Sequence, residues 1–166
     1  MRVRLILASD RVARGQAEDR TAPALAAVLA QAGDELVEVV AVEDDRAALE
    51  AELRASIGRF ALVLTSGGTG LGPRDVTPEA TRPLLDRELP GVAEAMRAVA
   101  FPRVPTAILS RGLAGSSGTS VVVNLPGSPR GAAECLALVL PALRHACELV
   151  AGRVDDCAPA RGEAPR

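Results

Sequence analysis

Residues 60–80 read FALVLTSGGTGLGPRDVTPEA, and this stretch decides the fold. Its opening, FALVLT at 60–65, is a short apolar run of the kind that forms a strand buried on both faces. Four glycines follow within residues 67–72. Residues 78–89 then read as one helix, disturbed at Pro83. A strand that passes through a glycine turn into a helix is the repeating unit of an open parallel sheet, where ligands sit beyond the carboxyl ends of the strands.

The flanking sequence repeats this alternation. Residues 2–8 (RVRLILA) read as a buried strand, followed by a polar turn at 9–15. A helix is expected over 21–32, with Pro23 near its start and Gly33 at its stop, and a second strand over 35–42. Asp44 and Asp45 precede a helix that ends at Gly58. Downstream, the pattern predicts a helix over 91–100, strands over 106–109 and 119–125, and a long apolar helix over 131–151 interrupted by Pro141. The expected architecture is a single-domain, three-layer, doubly wound α/β fold: a mostly parallel sheet with helices on both faces. It occupies residues 1–151, with 152–166 as a flexible, polar C-terminal tail.

Composition removes several chemistries. The 166 residues carry a net charge of −2, and all 19 basic residues are arginine. Without lysine there is no Schiff base, no lysine general base and no P-loop lysine. There is no Trp or Tyr, and the only aromatics are Phe60 and Phe101, so a stacking platform for nucleic acid is not expected. Cys135, Cys147 and Cys157 lack metal or disulfide spacing and suit a reduced cytoplasmic protein. No apolar run reaches membrane-spanning length, and no secretion signal is evident. His145, the single histidine, sits in an apolar helical stretch, and no GxSxG elbow presents a serine for a triad.

The glycine stretch matches neither GxxxxGK[ST] nor GxGxxG. Glycines tolerate positive φ and let backbone amides approach an anion, so Gly67, Gly68 and Gly70, with the hydroxyls of Ser66 and Thr69, form a candidate phosphate cradle. A tight turn is the plainer alternative. Asp75, close behind such a cradle, is electrostatically awkward unless a cation mediates, and Mg²⁺ would bridge it to phosphate oxygens. Asp44, at another strand end, could approach the same cation. Helix capping is the alternative for both carboxylates.

Thr65-Ser66-Gly67-Gly68-Thr69-Gly70, followed by Arg74-Asp75-Val76-Thr77-Pro78-Glu79-Ala80, resembles the molybdopterin adenylyltransferase family, the MogA/MoaB group that includes the N-terminal domain of gephyrin. Other segments agree in order: Ser9-Asp10-Arg11, Glu88-Leu89-Pro90-Gly91 with Glu94-Ala95-Met96-Arg97, Leu109-Ser110-Arg111, and Asn124-Leu125-Pro126-Gly127-Ser128-Pro129. The resemblance spans residues 3–150. It implies transfer of the adenylyl group of ATP to the terminal phosphate of molybdopterin, with pyrophosphate leaving and Mg²⁺ required.

The resemblance also implies a cytoplasmic homotrimer and a molybdenum-insertion enzyme as partner, fused or separate. Asp44 and Asp75 would be the catalytic, metal-organising pair. Residues 67–70 would hold phosphate through their amides. Ser110 and Arg111 would contact substrate phosphates, residues 125–129 would wall the pocket, and Ser9, Asp10 and Arg11 would shape its edge. Arg20-Thr21-Ala22 stands where the family often carries Ser-Gly after the aspartate, which weakens expectations for that loop. The competing reading is a non-catalytic pterin-binding or scaffold module of the same fold. Retention of Arg74 and Asp75 favours the enzyme.

Overall fold

The computed structural model describes residues 1–153, and the expected tail at 152–166 lies, but for its first two residues, outside the described residues. Strand β1 (Arg2–Ala8) pairs in parallel with β2 (Glu35–Val42) on one side and β3 (Leu62–Ser66) on the other. β3 in turn pairs in parallel with β6 (Ser120–Leu125). Two antiparallel strands complete the sheet: β5 (Ala114–Ser117) beside β6, and β4 (Arg87–Glu88) beside β5. The order is β2-β1-β3-β6-β5-β4.

Alternation along the strands builds the three layers. Val3, Leu5 and Leu7 of β1, with Leu62, Leu64, Val121 and Val123, pack under α2 (Thr21–Gln31), α5 (Pro90–Ala100) and α6 (Pro129–Val150) through Leu25, Leu29, Met96, Leu136 and Leu143. Ile6, Ala8, Val63 and Val122 face the opposite side, against Leu49 and Leu53 of α3 (Arg46–Ser56) and Ala80 of α4 (Thr77–Thr81). The doubly wound fold expected from the sequence is therefore the one observed. Between β2 and β3, the neighbours of β1, the chain reverses its winding direction, and the ends of these strands form a crevice.

Four local expectations differ from the structure. Residues 106–109 are not a strand but part of a 3₁₀ turn, Pro105–Leu109, where Pro105 lacks the N–H that a ladder would need. The strand that pairs with β6 is instead Ala-Gly-Ser-Ser, too small and polar to read as one. Its Gly115 fits only because a Cβ there would lie 2.5 Å from the Arg87 carbonyl oxygen and from Leu85.

The single helix expected over 78–89 is α4, then a 3₁₀ turn at Arg82–Leu84, then β4. Pro83 breaks it, since proline cannot donate to residue i−4 and clashes with that carbonyl.

Conversely, α6 runs unbroken through Pro141. A proline inside a helix costs about 3 kcal/mol. Burial of Leu136, Val139, Leu140 and Leu143 on both sides of it, at about 1.5–3 kcal/mol each, holds the two halves on the sheet.

Finally, the turn at 9–15 contains one helical turn, α1 (Asp10–Ala13), capped by Ser9.

Candidate active site

The carboxyl ends of β1, β2, β3 and β6 deliver Ser9-Asp10, Glu43-Asp44, Gly67 onward and residues 126–129 to one edge of the sheet. At its centre, Gly67 (φ 100°) and Gly68 (φ 61°) turn the chain out of β3. A Cβ on Gly67 would sit 2.3 Å from the Ala8 carbonyl oxygen, and one on Gly68 2.5 Å from Thr77 Oγ1. Only glycine satisfies both the torsions and the space.

Four successive carbonyls of this loop are tied to the protein body. Gly67 O accepts from Thr77 Oγ1 at 2.9 Å, and Gly68 O accepts from the Thr77 amide at 3.0 Å. Thr69 O accepts from the Arg111 amide at 2.8 Å, and Gly70 O accepts from Arg111 Nε at 2.7 Å. In a trans peptide the next residue's N–H points opposite to the carbonyl. The amides of Gly68, Thr69, Gly70 and Leu71 are thus turned away from the body, and none meets an acceptor among the described residues. Consecutive outward amides make an anion-binding nest. The Gly67 amide, expected among the donors, is instead taken by Leu125 O.

The hydroxyls expected as phosphate donors behave differently. Ser66 donates to Pro126 O at 2.8 Å, which ties the glycine loop to the β6–α6 loop. Thr65 is buried and accepts from Asn124 Nδ2 at 3.0 Å. Thr69 is buried at the lip of the loop.

On one flank stand the carboxylates. The Asp10 amide donates to Asp44 Oδ2 at 3.2 Å, while the Asp44 amide donates to Asp10 Oδ1 at 3.1 Å. Arg74 binds the same Asp10 oxygen at 2.6 Å. That guanidinium holds the Asp10 carboxyl below the usual range. Asp44 moves the other way: burial raises it, and the negative charges of Asp10 and Asp75 add to the rise while the Asp10 amide and Arg74 oppose it. Asp44 is not the cap of α3; Asp45 takes that role, accepting from the Ala48 amide at 2.8 Å.

Asp75 does not cap α4 either. Its Oδ2 folds back to accept from the Gly72 amide at 2.7 Å. This explains two more glycines, since a Cβ on Gly70 or Gly72 would lie 2.9 or 2.8 Å from that oxygen. Arg11 lies exposed on α1.

The other flank is walled by residues 126–129. Gly127 approaches so closely that a Cβ would lie 3.2 Å from Gly67 Cα. Ser128 caps α6, accepting from the Gly131 amide at 3.2 Å, and Pro129 opens that helix. A cleft of about 450 Å³ lies here, lined by Thr69, Gly70, Ser110, Pro126 and Ser128 and by apolar residues of the 99–109 segment. A smaller cleft of about 220 Å³, lined by Ser9, Asp19, Ser66, Gly67 and Gly127, lies nearer β1. The glycine loop borders both.

Thr77 and Asn124 lie within the motifs, and the motifs alone give them no role. Both are buried supports: Asn124 Nδ2 bridges Thr65 and Thr81 hydroxyls at 3.0 Å each, and its Oδ1 accepts from the Leu113 amide at 3.3 Å. Their polarity inside an apolar frame was the available signal. Among other candidates, Cys135 and Cys147 are buried, and burial pushes the Cys147 thiol up to about 11. Neither is an activated nucleophile. Among the described residues, no helix is long and apolar enough to cross a membrane.

Fold and site define a doubly wound α/β protein with a glycine loop of amides, unpartnered among the described residues, at its strand ends beside acidic side chains. The chain belongs to the molybdopterin-binding domain family: the model described as "Probable molybdopterin binding domain" matches residues 4–145. It is 40% identical over 152 residues to a molybdopterin adenylyltransferase of Helicobacter pylori, covering 89% of this chain and 86% of that one. The crystal structure of the molybdopterin biosynthesis enzyme MoaB of Thermus thermophilus superposes with a TM-score of 0.84 at 49% identity, covering 91% and 96%. A molybdenum cofactor biosynthesis bifunctional protein of Synechococcus elongatus is 38% identical over 149 residues, which cover 89% of this chain and 47% of that protein.

Proposed function

We propose that this protein is a nucleotidyltransferase that adenylylates molybdopterin in molybdenum cofactor biosynthesis. An oxygen of the pterin's terminal phosphate forms a bond to the α-phosphorus of ATP. The bond from that phosphorus to the bridging oxygen of the β-phosphate breaks, and pyrophosphate leaves with the electron pair. The observation that carries this reading is the row of four amides at residues 68–71, without an acceptor among the described residues, beside Asp75 of the same loop and Asp44 of the loop after β2.

Both substrates are polyanions, so the barrier is dominated by bringing phosphate to phosphate. The amides would hold one polyphosphate without adding a mobile charge. Two clefts meeting at the loop give the two substrates separate approaches. The apolar wall of the larger cleft suits a flat organic group. A phosphate nucleophile is already ionised near neutral pH, so no general base is required.

Mg²⁺ fits the donor set. Among the described residues no group of three or more His, Cys, Asp or Glu forms a ready-made metal cage. Mg²⁺ typically takes only one or two carboxylates and completes its shell with phosphates and water. Asp44 and Asp75 would hold it, and its charge would offset the repulsion between the two substrates. The raised Asp44 carboxyl, burdened by neighbouring negative charge, is the kind of group a cation relieves.

A cytoplasmic homotrimer and a molybdenum-insertion partner remain part of this proposal. Exposed Phe101, Val104, Ile108 and Leu109 form an apolar surface beside the larger cleft that self-association would cover, and light scattering of the purified chain tests it.

The activity test is pyrophosphate release from ATP and Mg²⁺ by the purified full chain. Release should require molybdopterin, and Asp75→Asn should lower its rate at least ~100-fold. No release by the wild type contradicts the enzyme reading, and undiminished turnover in Asp75→Asn contradicts the role of that carboxylate.

A further inference from the structure

We propose that Arg111 is a positioning residue that braces the glycine loop, in place of the direct phosphate contact expected from the sequence. This rests on the adenylyl-transfer reading of the site. Every nitrogen of the Arg111 guanidinium has a partner within the protein. Nε donates to Gly70 O at 2.7 Å, Nη2 donates to Asp75 O at 2.6 Å, Nη1 pairs with Glu79, and the backbone amide donates to Thr69 O at 2.8 Å. Glu79 is itself drawn below the usual carboxylate range: burial, the largest single influence, would raise it, and the Arg111 hydrogen bond, its own backbone amide and the Arg111 and Arg46 charges together outweigh that.

These bonds have a directional consequence. Fixing the Gly70 carbonyl fixes the Leu71 amide in the opposite direction. Fixing the Asp75 carbonyl sets the backbone from which the Asp75 carboxylate projects. One planar guanidinium thus ties the far end of the amide row to the backbone that carries the Asp75 carboxylate. The near end of the row is independent of it, because Thr77 holds the Gly67 and Gly68 carbonyls.

Only a rigid fork reaches three acceptors at once; an ammonium keeps the charge but not the geometry. A direct phosphate ligand and a brace therefore part company in Arg111→Lys. A ligand would be largely rescued by lysine, whereas a brace would not.

The experiment has two arms, both on the full chain. In the first, ¹⁵N relaxation of the ligand-free protein compares wild type with Arg111→Lys. Leu71 and Val76 amides should gain mobility while Gly68 and Thr69 stay as ordered as in wild type. Unchanged order at Leu71 and Val76 overturns the proposal.

In the second arm, Arg111→Lys and Arg111→Gln are assayed for pyrophosphate release. Both should lose kcat by about tenfold or more, with the KM for ATP within about threefold of wild type. Recovery of kcat by lysine, with a raised KM in the glutamine variant, overturns it, as does wild-type kinetics in both. Absence of turnover in the wild type would refute the adenylyl-transfer reading, and the relaxation arm would still decide the brace.

Discussion

Asp10 and Asp44 exchange backbone-to-carboxylate hydrogen bonds, each amide donating to the other's side chain at 3.1–3.2 Å. This reciprocal clamp locks the β1–α1 loop to the β2–α3 loop and places two carboxylates side by side. The two are not equivalent. Arg74 neutralises Asp10, whereas Asp44 is left half-buried with its carboxyl raised by burial and by the acids around it.

That asymmetry predicts opposite effects of Asp44→Asn on stability and on activity. Asparagine keeps an acceptor for the Asp10 amide and removes the disfavoured charge. A carboxyl raised in the folded state stabilises the fold below its unfolded pKa, and that contribution is lost as pH rises through the folded value. The variant should therefore melt higher than wild type at pH 7, and the gap should close as pH falls below the ordinary carboxylate range near ~4. Adenylyl transfer should fall at least ~100-fold. Thermal melts from pH 3 to 7 beside a pyrophosphate assay check both; a variant that melts lower at neutral pH contradicts the electrostatic reading.

The glycine loop makes a steric prediction. Gly68→Ala places a Cβ 2.5 Å from Thr77 Oγ1 at φ 61°, which displaces the hydroxyl that holds the Gly67 carbonyl. It should cost about 1–3 kcal/mol and at least ~10-fold in turnover. Gly15→Ala is the control: φ is 68°, but nothing lies within 4 Å of its Cβ. It should lower stability by about 1 kcal/mol and leave turnover intact. Urea melts and initial rates on the two variants separate torsion from site geometry.

Much of the fold was legible because β1, β2 and β3 are apolar, β-branched runs punctuated by glycine and aspartate. What was hidden depends on contacts far apart in sequence. Ala114–Ser117 becomes a strand because small residues fit beneath Leu85 and Arg87, a reason invisible in four small residues read alone. The expected site residues do converge at the strand ends, Arg11 excepted, but several roles change. Ser66 supports the neighbouring loop, and the Gly67 amide is taken by Leu125. A motif names the residue types at a site. Which way each carbonyl points is settled by partners such as Thr77 and Arg111, 9 to 42 positions from the carbonyls they hold.

Asn124 illustrates such a distant support. It is 1% exposed and joins Thr65, Thr81 and the Leu113 amide. Asn124→Leu would leave these groups unpaired in the interior. The expected loss is about 2–4 kcal/mol in urea unfolding with an unchanged m-value. A loss under ~0.5 kcal/mol would mean that the network does not hold the end of β3.

The central claim, that the amides of residues 68–71 grip a polyphosphate, is tested most directly by ¹H–¹⁵N chemical shifts of the full chain titrated with pyrophosphate and Mg²⁺. The account predicts the largest saturable downfield shifts at Gly68, Thr69, Gly70 and Leu71, with Gly67 nearly still because its N–H already serves Leu125. Saturable binding that leaves those four amides unmoved would contradict it.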